Sequence, residues 1–455
     1  MTRGQSGPPS RIRELTVGNI RRQVVSLAVP ATVESGLQTT VRLLDTYWMG
    51  RVGGMAVASV AMGTALRMVL ISPMMGLSMG GQAVVSRYVG QRDQVRADRA
   101  VMQVLLLIAL FTLPIAALGY TLTPVFLRLM GASDAVLPNA TAFLRIIWGG
   151  LFFLECLPTM SGVLKGAGRP EYTLRINLLN MAVLGISEPI LALGLGPFPA
   201  MGIRGAALAS VLGAATGVLG VLIVLGTGQA GVRLHLRDLK PDWTMMKRVL
   251  RISIPASVER FSPNLGAATF MRLITSFGDQ ILTAYSIFHQ LYGFFQAVTM
   301  GAGLASATMV GQNLGAGKPE RSEQAAKVGA KGAMVVSFLL YGLLALAPQP
   351  VLMRFTQDPM VINAAALAIR VTLIGSAIRG WGQVMGRCLA GAGDAVSPMA
   401  ASIGALWIVQ LPAAWLLSGW LGPLGIWIGM VLGDTAHAIA MTWRFAQGRW
   451  KTIRV

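Results

Sequence analysis

Twelve stretches of apolar sequence dictate what this chain can become. They cover approximately 24–50, 56–82, 100–121, 140–164, 172–196, 203–226, 249–275, 281–307, 327–348, 363–388, 397–418 and 423–445. Each is close to or above the roughly 20 residues a helix needs to cross a bilayer. Inside lipid the backbone must satisfy its own hydrogen bonds, which leaves only helices and closed barrels. A barrel would show short alternating segments, and this chain shows none. Charged residues make up 12% of the sequence, against about a quarter in soluble proteins. The prediction is an all-α polytopic membrane protein with twelve transmembrane helices.

The formal net charge is +20. In a soluble protein that surplus would point to nucleic acid. Here the basic residues sit between apolar segments, on alternate connections. One side holds Arg3 to Arg22, then Arg87 to Arg99, Lys165 to Arg175, Arg233 to Arg251, Lys318 to Lys331 and Arg444 to Arg454. The other side holds little beyond Arg51, Arg128, Arg204 and Arg354. Lys and Arg favour cytoplasmic loops, so both termini are expected in the cytoplasm of a bacterial inner membrane. The expected partners are membrane lipids and small-molecule organic substrates, with no nucleic acid, and the monomer is expected to function alone. Residues 1–23 read as a basic tail. The segment that follows is too long and too charged for a signal peptide.

The connection 227–248 is the longest polar one and divides the chain into an N-lobe, 24–226, and a C-lobe, 249–445, with a short tail, 446–455. The halves repeat. A shift of 225 residues carries Pro30 onto Pro255, Glu34 onto Glu259, Gly76 onto Gly301, Gly90 onto Gly315 and Gly166-Ala167-Gly168 onto Gly391-Ala392-Gly393. Near the end the shift becomes 220, carrying Gly205 onto Gly425. Six helices return the chain to the same side, so both halves insert the same way up. They should be related by a pseudo-twofold axis along the membrane normal, with a cavity between them. The many helix glycines suit close packing, and helix prolines such as Pro30, Pro73, Pro189 and Pro412 allow bends.

Charges inside a bilayer are expensive and mark function. The first segment carries Glu34, Arg42 and Asp45, with Gln38 between them. At about 100° per residue they fall near one helix face, which should look into protein or a water-filled cavity. Glu34 has a twin in Glu259, which favours a shared structural or gating role, or a place on the cavity wall. Asp45 has no twin, because Phe270 stands opposite it, and it could pair with Arg42. His289 could titrate, or sit hydrogen-bonded in a helix interface. Asp434 and His437 are one turn apart and could pair. Trp48, Trp148, Trp381, Trp407, Trp415, Trp420 and Trp427 read as interface anchors. Neither the two cysteines nor the three histidines have ligand spacing, so no metal or cofactor is implied. No nucleophile–base constellation suggests an enzyme.

Three motifs carry a family resemblance: LLDTYWMGRVGG, the paired loops SRYVGQRD and GQNLGAGKPER, and LKGAGRP followed by EPILALGLGPFPAMGIRGAALAS, with its repeat LAGAGD. In order and spacing they resemble the multidrug and toxic compound extrusion (MATE) transporters of the multidrug/oligosaccharidyl-lipid/polysaccharide exporter superfamily. The resemblance spans nearly the whole chain. It implies a two-lobed, alternating-access antiporter that expels organic cations or amphipathic compounds. The coupling ion would be H⁺, with Na⁺ the alternative.

On the same resemblance Asp45 matches the family's first-helix acid. Glu188 stands where the family usually has the aspartate of Asp-Pro, and Ser210 where it often has threonine. The asparagine usual one turn before that acid is Leu184 here, with Asn177 and Asn180 farther along. Asp45, Glu188, Ser210 and Asn180 are therefore the implied cation-coupling set, and Glu34, Gln38, Glu259 and His289 the cavity or gate set. The Na⁺-coupled branch has acids on helices 7 and 10. The segment 361–389 has no carboxylate, which favours H⁺. Protonation of the N-lobe acids would relax the first helix around Pro30 and displace substrate. The alternative on this fold is a flippase for lipid-linked oligosaccharide, which should show a cationic cavity.

Overall fold

The computed structural model describes residues 15–195 and 198–453. Twelve helical spans run through it. They are α1 (Ile20–Val52), α2 (Met55–Gly90), α3 (Gln94–Leu129), α4 (Leu137–Gly149 and Leu151–Gly166), α5 (Pro170–Leu193), α6 (Ile203–Thr227), α7 (Trp243–Thr275), α8 (Asp279–Gly315), α9 (Pro319–Leu346), α10 (Pro359–Gly391), α11 (Val396–Leu421) and α12 (Pro423–Ala446). Eight of these, and the bent pair that forms α4, are long and apolar enough to cross a membrane among the described residues. The other three, α1, α7 and α8, are at least as long but more polar. They carry Glu34 and Asp45, Glu259 and Arg260, and His289 and Gln296. These polar helices line the meeting of the lobes, where their polar residues need not face lipid.

Breaks in the spans have local causes. Pro73 has no N–H to offer the Val69 carbonyl, and Ser72 Oγ donates to that carbonyl instead at 2.8 Å. The helix tightens to a 3₁₀ turn there before resuming at Leu77. Before Pro412 the turn widens into a π-helix over Ala405–Gln410, the expected response to a missing donor. The sharpest bend, 56°, falls in α4 at Gly149–Gly150 rather than at its Pro158. Val211 of α6 packs directly on Gly150, where a side chain would collide with it.

The internal repeat is visible in the seam between lobes. Gly76 of α2 lies against Ser253 and Ser257 of α7, and its twin Gly301 of α8 lies against Thr32 of α1, the twin of Ser257. Gly90 abuts the Gln312 carbonyl, and its twin Gly315 abuts the Arg87 carbonyl, where Arg87 and Gln312 are themselves twins. Ser86 and Gly311, also twins, touch each other and so lie on the axis. The predicted pseudo-twofold thus relates contacts as well as helices. Hydrogen bonds stitch the seam: Gly76 N–H donates to Ser257 Oγ at 2.8 Å, Ser257 Oγ to the Pro73 carbonyl at 2.8 Å, Gln82 Nε2 to Thr308 Oγ1 at 2.9 Å, and Gln312 Nε2 to the Gly166 carbonyl at 3.0 Å. Each ties the C-terminal half of α2 or α8 to a neighbouring helix, and the Gly90–Gly315 end of the seam adjoins the basic loops.

The ends depart from the sequence reading. The first helix starts at Ile20, inside the stretch read as a tail, and Leu15 is fully buried against the C-lobe with Leu27, Ala305 and Met309. Asn313 Nδ2 and Lys318 Nζ donate to the Leu15 and Thr16 carbonyls. The C-terminal stretch folds back too: Trp450 is buried, stacks on Phe445 and donates to the Phe445 carbonyl. Arg3, Arg11 and Arg13 lie outside the described residues. Two tryptophans read as anchors are core residues. Trp148 is buried and donates to Thr123 Oγ1 at 2.8 Å, and Trp427 is buried beneath Tyr285 and Phe288. Trp415 and Trp420 are exposed as expected.

Gly90→Ala and Gly315→Ala should each push Cβ into a facing carbonyl. Overpacking of that kind costs about 1–3 kcal/mol, read as a lower thermal denaturation midpoint of the purified protein. Gly226→Ala, where a Cβ meets nothing within 4 Å, should leave the midpoint unchanged.

Candidate functional site

In the N-lobe, α5 begins with Pro170 at its first turn and stops at Gly194, whose backbone is left-handed. Glu188 sits between one and two turns from that end and is only 1% exposed. Packing of α5 along α1 brings its carboxyl close to the half-buried Asp45 carboxyl. Glu188 Oε1 has no hydrogen-bond partner among the described residues. Two negative charges this close repel strongly in a medium of low dielectric. A single proton shared between them removes that repulsion. The side chain of Arg42, the sequence-level alternative partner of Asp45, lies outside the described residues.

Ser210 is half-buried on α6, and Asn180 rests against Gly213 of the same helix. Neither hydrogen-bonds to the carboxyl pair among the described residues, and Gln38 is half-buried without a hydrogen bond there. Asn177 is the asparagine that is engaged. Its Nδ2 donates to Glu34 Oε1 at 3.2 Å, and Lys165 Nζ at the end of α4 donates to the same oxygen at 2.9 Å. Glu34 is 3% exposed, so this is a buried ion pair. The Lys165 carbonyl in turn accepts from Thr308 Oγ1 of the C-lobe at 3.0 Å. Glu34 is thus tied to the seam.

Its twin Glu259 has different company. Glu259 is half-buried on the wall of a cavity of about 430 Å³ enclosed by α7, α8, α10, α11 and α12. Its Oε1 accepts from Ser402 Oγ at 3.4 Å, and Ser402 Oγ meets His437 Nε2 at 3.2 Å. Asp434 pairs with Arg379 at 2.7 Å and accepts from the Tyr292 hydroxyl at 3.3 Å. The pairing of Asp434 with His437 is therefore absent, because a guanidinium outcompetes a neutral imidazole for the carboxylate. His289 is exposed to the cavity beside Tyr285, with ring centroids 5.6 Å apart, rather than locked in an interface.

Three arginines line this cavity: Arg260, Arg379 and Arg387. Reading the sequence for acids alone missed them. The signal was present, since an arginine inside a bilayer span is as costly as an aspartate. The stem of Arg387 lies against Gly303 of α8, where a side chain would collide with its Cδ. The two lobes thus place opposite charge in related positions. The N-lobe presents a pair of carboxyls, and Phe270, the twin of Asp45, lines the basic C-lobe cavity.

The sequence matches the MatE family over residues 30–188 and 255–416, one stretch in each lobe, starting at the twin prolines. It is similar to the probable multidrug resistance protein NorM of Thermotoga maritima, 24% identical over 441 residues, covering 96% of this chain and 94% of that protein. It is also similar to the FAD transporter of Shewanella oneidensis, 24% identical over 357 residues, covering 77% and 78% of the two chains. The fold superposes on a crystal structure of MATE in the straight conformation with a TM-score of 0.90 at 22% identity, covering 96% of this chain and 98% of that one.

Removing one member of a buried ion pair strands the other charge, at about 3–5 kcal/mol. Lys165→Met should therefore destabilise the protein strongly, and the double variant Lys165→Met/Glu34→Gln should recover much of the loss. Thermal denaturation of the four proteins in a double-mutant cycle measures the coupling.

Proposed function

The chain belongs to the MatE family, and on that premise we propose that it is a multidrug efflux antiporter that exports organic cations or other amphipathic compounds in exchange for protons. The observation that carries the proton coupling is the meeting of Asp45 and Glu188 inside the span of the N-lobe. Deprotonated, the pair forces two negative charges together. Protonated, it lets α1 and α5 approach. A proton arriving from one side and leaving to the other therefore changes the preferred packing of α1, which is the physical requirement for coupling. The Shewanella relative's cargo, FAD, is an amphipathic anion, which supports amphipathic compounds as the broader substrate class.

Na⁺ would be the weaker coupling ion. The C-lobe cavity, with Arg260, Arg379 and Arg387, is a poor host for a second cation. By the positive-inside rule the seam, which adjoins the basic loops, lies at the cytoplasmic end. A seam closed there suits an outward-facing state in a bacterial cytoplasmic membrane, with both termini inside. Alternating access then means opening this seam while the lobes rock about the pseudo-twofold axis.

The three arginines also bear on the flippase reading, since that activity calls for a cationic cavity. Glu259 and Asp434 offset two of the three charges, and about 430 Å³ is a small-molecule volume by the usual range of about 300–1,000 Å³. A lipid diphosphate fits this balance poorly. In proteoliposomes, wild-type protein should export an ethidium-like amphipathic cation under an imposed H⁺ gradient and not under an imposed Na⁺ gradient. Asp45→Asn and Glu188→Gln should each lower that rate at least about tenfold, the scale of losing one hydrogen bond to a charged group, while the protein stays folded. Transport by Asp45→Asn at the wild-type rate would overturn the proposal.

A further inference from the structure

The internal repeat does not stop at the last span. The shift of 220 residues carries Gly228, the left-handed end of α6, onto Gly448, which is left-handed after α12. It carries the buried Ala230 onto the buried Trp450. The acids on which the two segments dock are twins as well, by the shift of 225. Asp98 of α3 accepts from the Arg233 N–H at 2.8 Å, and Glu323 of α9 accepts from Lys451 Nζ at 2.6 Å. The segment after α12 is therefore the counterpart of the start of the interlobe linker, and it is built into the C-lobe. Trp450 belongs to a buried cluster with Val310, Ala326 and Met441, and Ile453 lies against the same cluster.

From there the two segments part ways. The linker stays on the lobe it leaves, where Gln103 Nε2 donates to the Asp238 and Lys240 carbonyls at 2.9 and 3.1 Å. The segment after α12 reaches the other lobe: the Ile453 carbonyl accepts from Arg87 Nη2 of α2 at 3.0 Å. Gln312, the twin of Arg87, crosses the seam in the opposite sense to the Gly166 carbonyl at 3.0 Å. Strict symmetry would send Arg87 to the carbonyl of Gly391, the twin of Gly166. The longer side chain takes the Ile453 carbonyl instead. Trp450 and Lys451 fix that carbonyl to the C-lobe, whereas Arg87 sits on an N-lobe helix one turn from Gly90, where the lobes touch. The bond can therefore exist only while the seam is closed.

We propose that the segment 449–453 is a strap across the cytoplasmic end of the seam, anchored in the C-lobe by Trp450 and Lys451 and hooked by Arg87, and that it biases the transporter toward the state in which this seam is closed. A bond present in only one of two states shifts their balance by its full strength. A hydrogen bond from a charged donor favours the closed seam about tenfold or more. The strap thus sets how often the lobes part on the cytoplasmic side, a step that every cycle of alternating access needs. Its place in transport rests on the function proposed above; the bond itself rests on the seam alone.

The test uses the full chain in lipid nanodiscs with no ion gradient and no cargo. Thr308 is buried in the seam, whereas Cys156 and Cys388 are buried inside the lobes. In a Thr308→Cys background, alkylation by N-ethylmaleimide, located by mass spectrometry, reads seam opening at position 308 and unfolding at positions 156 and 388. Arg87→Met should raise the rate at position 308 at least about tenfold, the scale of one hydrogen bond to a charged group, with Cys156 and Cys388 unchanged. Lys451→Met releases the other end of the strap. It should raise the rate by up to about fivefold, the scale of an exposed ion pair, and should add nothing to Arg87→Met. An unchanged rate in Arg87→Met overturns the proposal. Additive effects of the two substitutions also overturn it, since Arg87 and the strap would then act separately. A rise that Cys156 and Cys388 share would make the bond a support of the fold rather than of the seam, and that too overturns it. No gradient is involved, so failure here leaves the proton reading standing, and failure of the Asp45→Asn transport test leaves this one standing.

Discussion

Backbone meets backbone where α2 passes α7 and α8 passes α1, and the rest of the molecule takes its position from that crossing. In lipid there is little hydrophobic force between helices, so association rests on dispersion, small residues and hydrogen bonds. Gly76 and Gly301 let a neighbouring helix approach to where only a hydrogen atom fits. The Ser257 hydroxyl then uses that proximity, accepting from Gly76 and donating to Pro73. A seam of this kind depends on close backbone approach as much as on apolar area. Apolar residues flank it as well: Val249, Ile252 and Ala256 of α7 join the buried cluster of Met74 and Leu77 of α2.

The frame is symmetric and the chemistry on it is not. Thr32 and Ser257 occupy twin positions and make twin contacts. Glu34 and Glu259, two residues farther along, have already diverged: one is locked by Lys165 and Asn177, the other borders a cavity beside two arginines. By Asp45 and Phe270 the twins no longer share a chemical class. Asymmetry thus grows with distance from the seam. Residues that set the crossing are constrained in both halves by the same close approach. Residues beyond it face different contents in each lobe.

That pattern explains how much could be read in advance. The spans were legible because bilayer thickness imposes a length on every helix, and the repeat was legible because glycine at a backbone crossing admits no substitute. The acids of the N-lobe stood out through their cost in lipid. The arginines of α10 did not, because Arg379 and Arg387 sit in a span where the search was for carboxylates, and their meaning depends on Arg260, Asp434 and Glu259 from other helices. The burial of Leu15 and Trp450 was hidden for a related reason. The partners of Leu15, Ala305 and Met309 among them, are near only after the chain has folded, and the partner of Trp450 is Phe445 five residues back, reached only because the chain turns at Gly448. The engagement of Asn177 rather than Asn180 is a matter of helix rotation, set by how α5 lies against α1.

The separation of the two chambers bears on how a proton could move cargo. Were both to bind at Asp45 and Glu188, coupling would be direct competition between a proton and a cation. Were cargo instead to bind in the other lobe, competition would give way to mechanics, and a two-state element would have to connect the sites. The helix α1 has the reach. It bears Asp45 near one end, Glu34 in its middle and Thr32 against Gly301 at the seam, about 20 Å from Asp45 at 1.5 Å per residue. Its first turns pack on α8 and α9 of the C-lobe, where Leu15, Val24 and Leu27 are buried. One rigid element thus touches the carboxyl pair, the buried ion pair, the seam and the opposite lobe. On the proposed coupling, a change of repulsion at Asp45 would tilt α1, and the close approach of Thr32 to Gly301 leaves little room for that tilt.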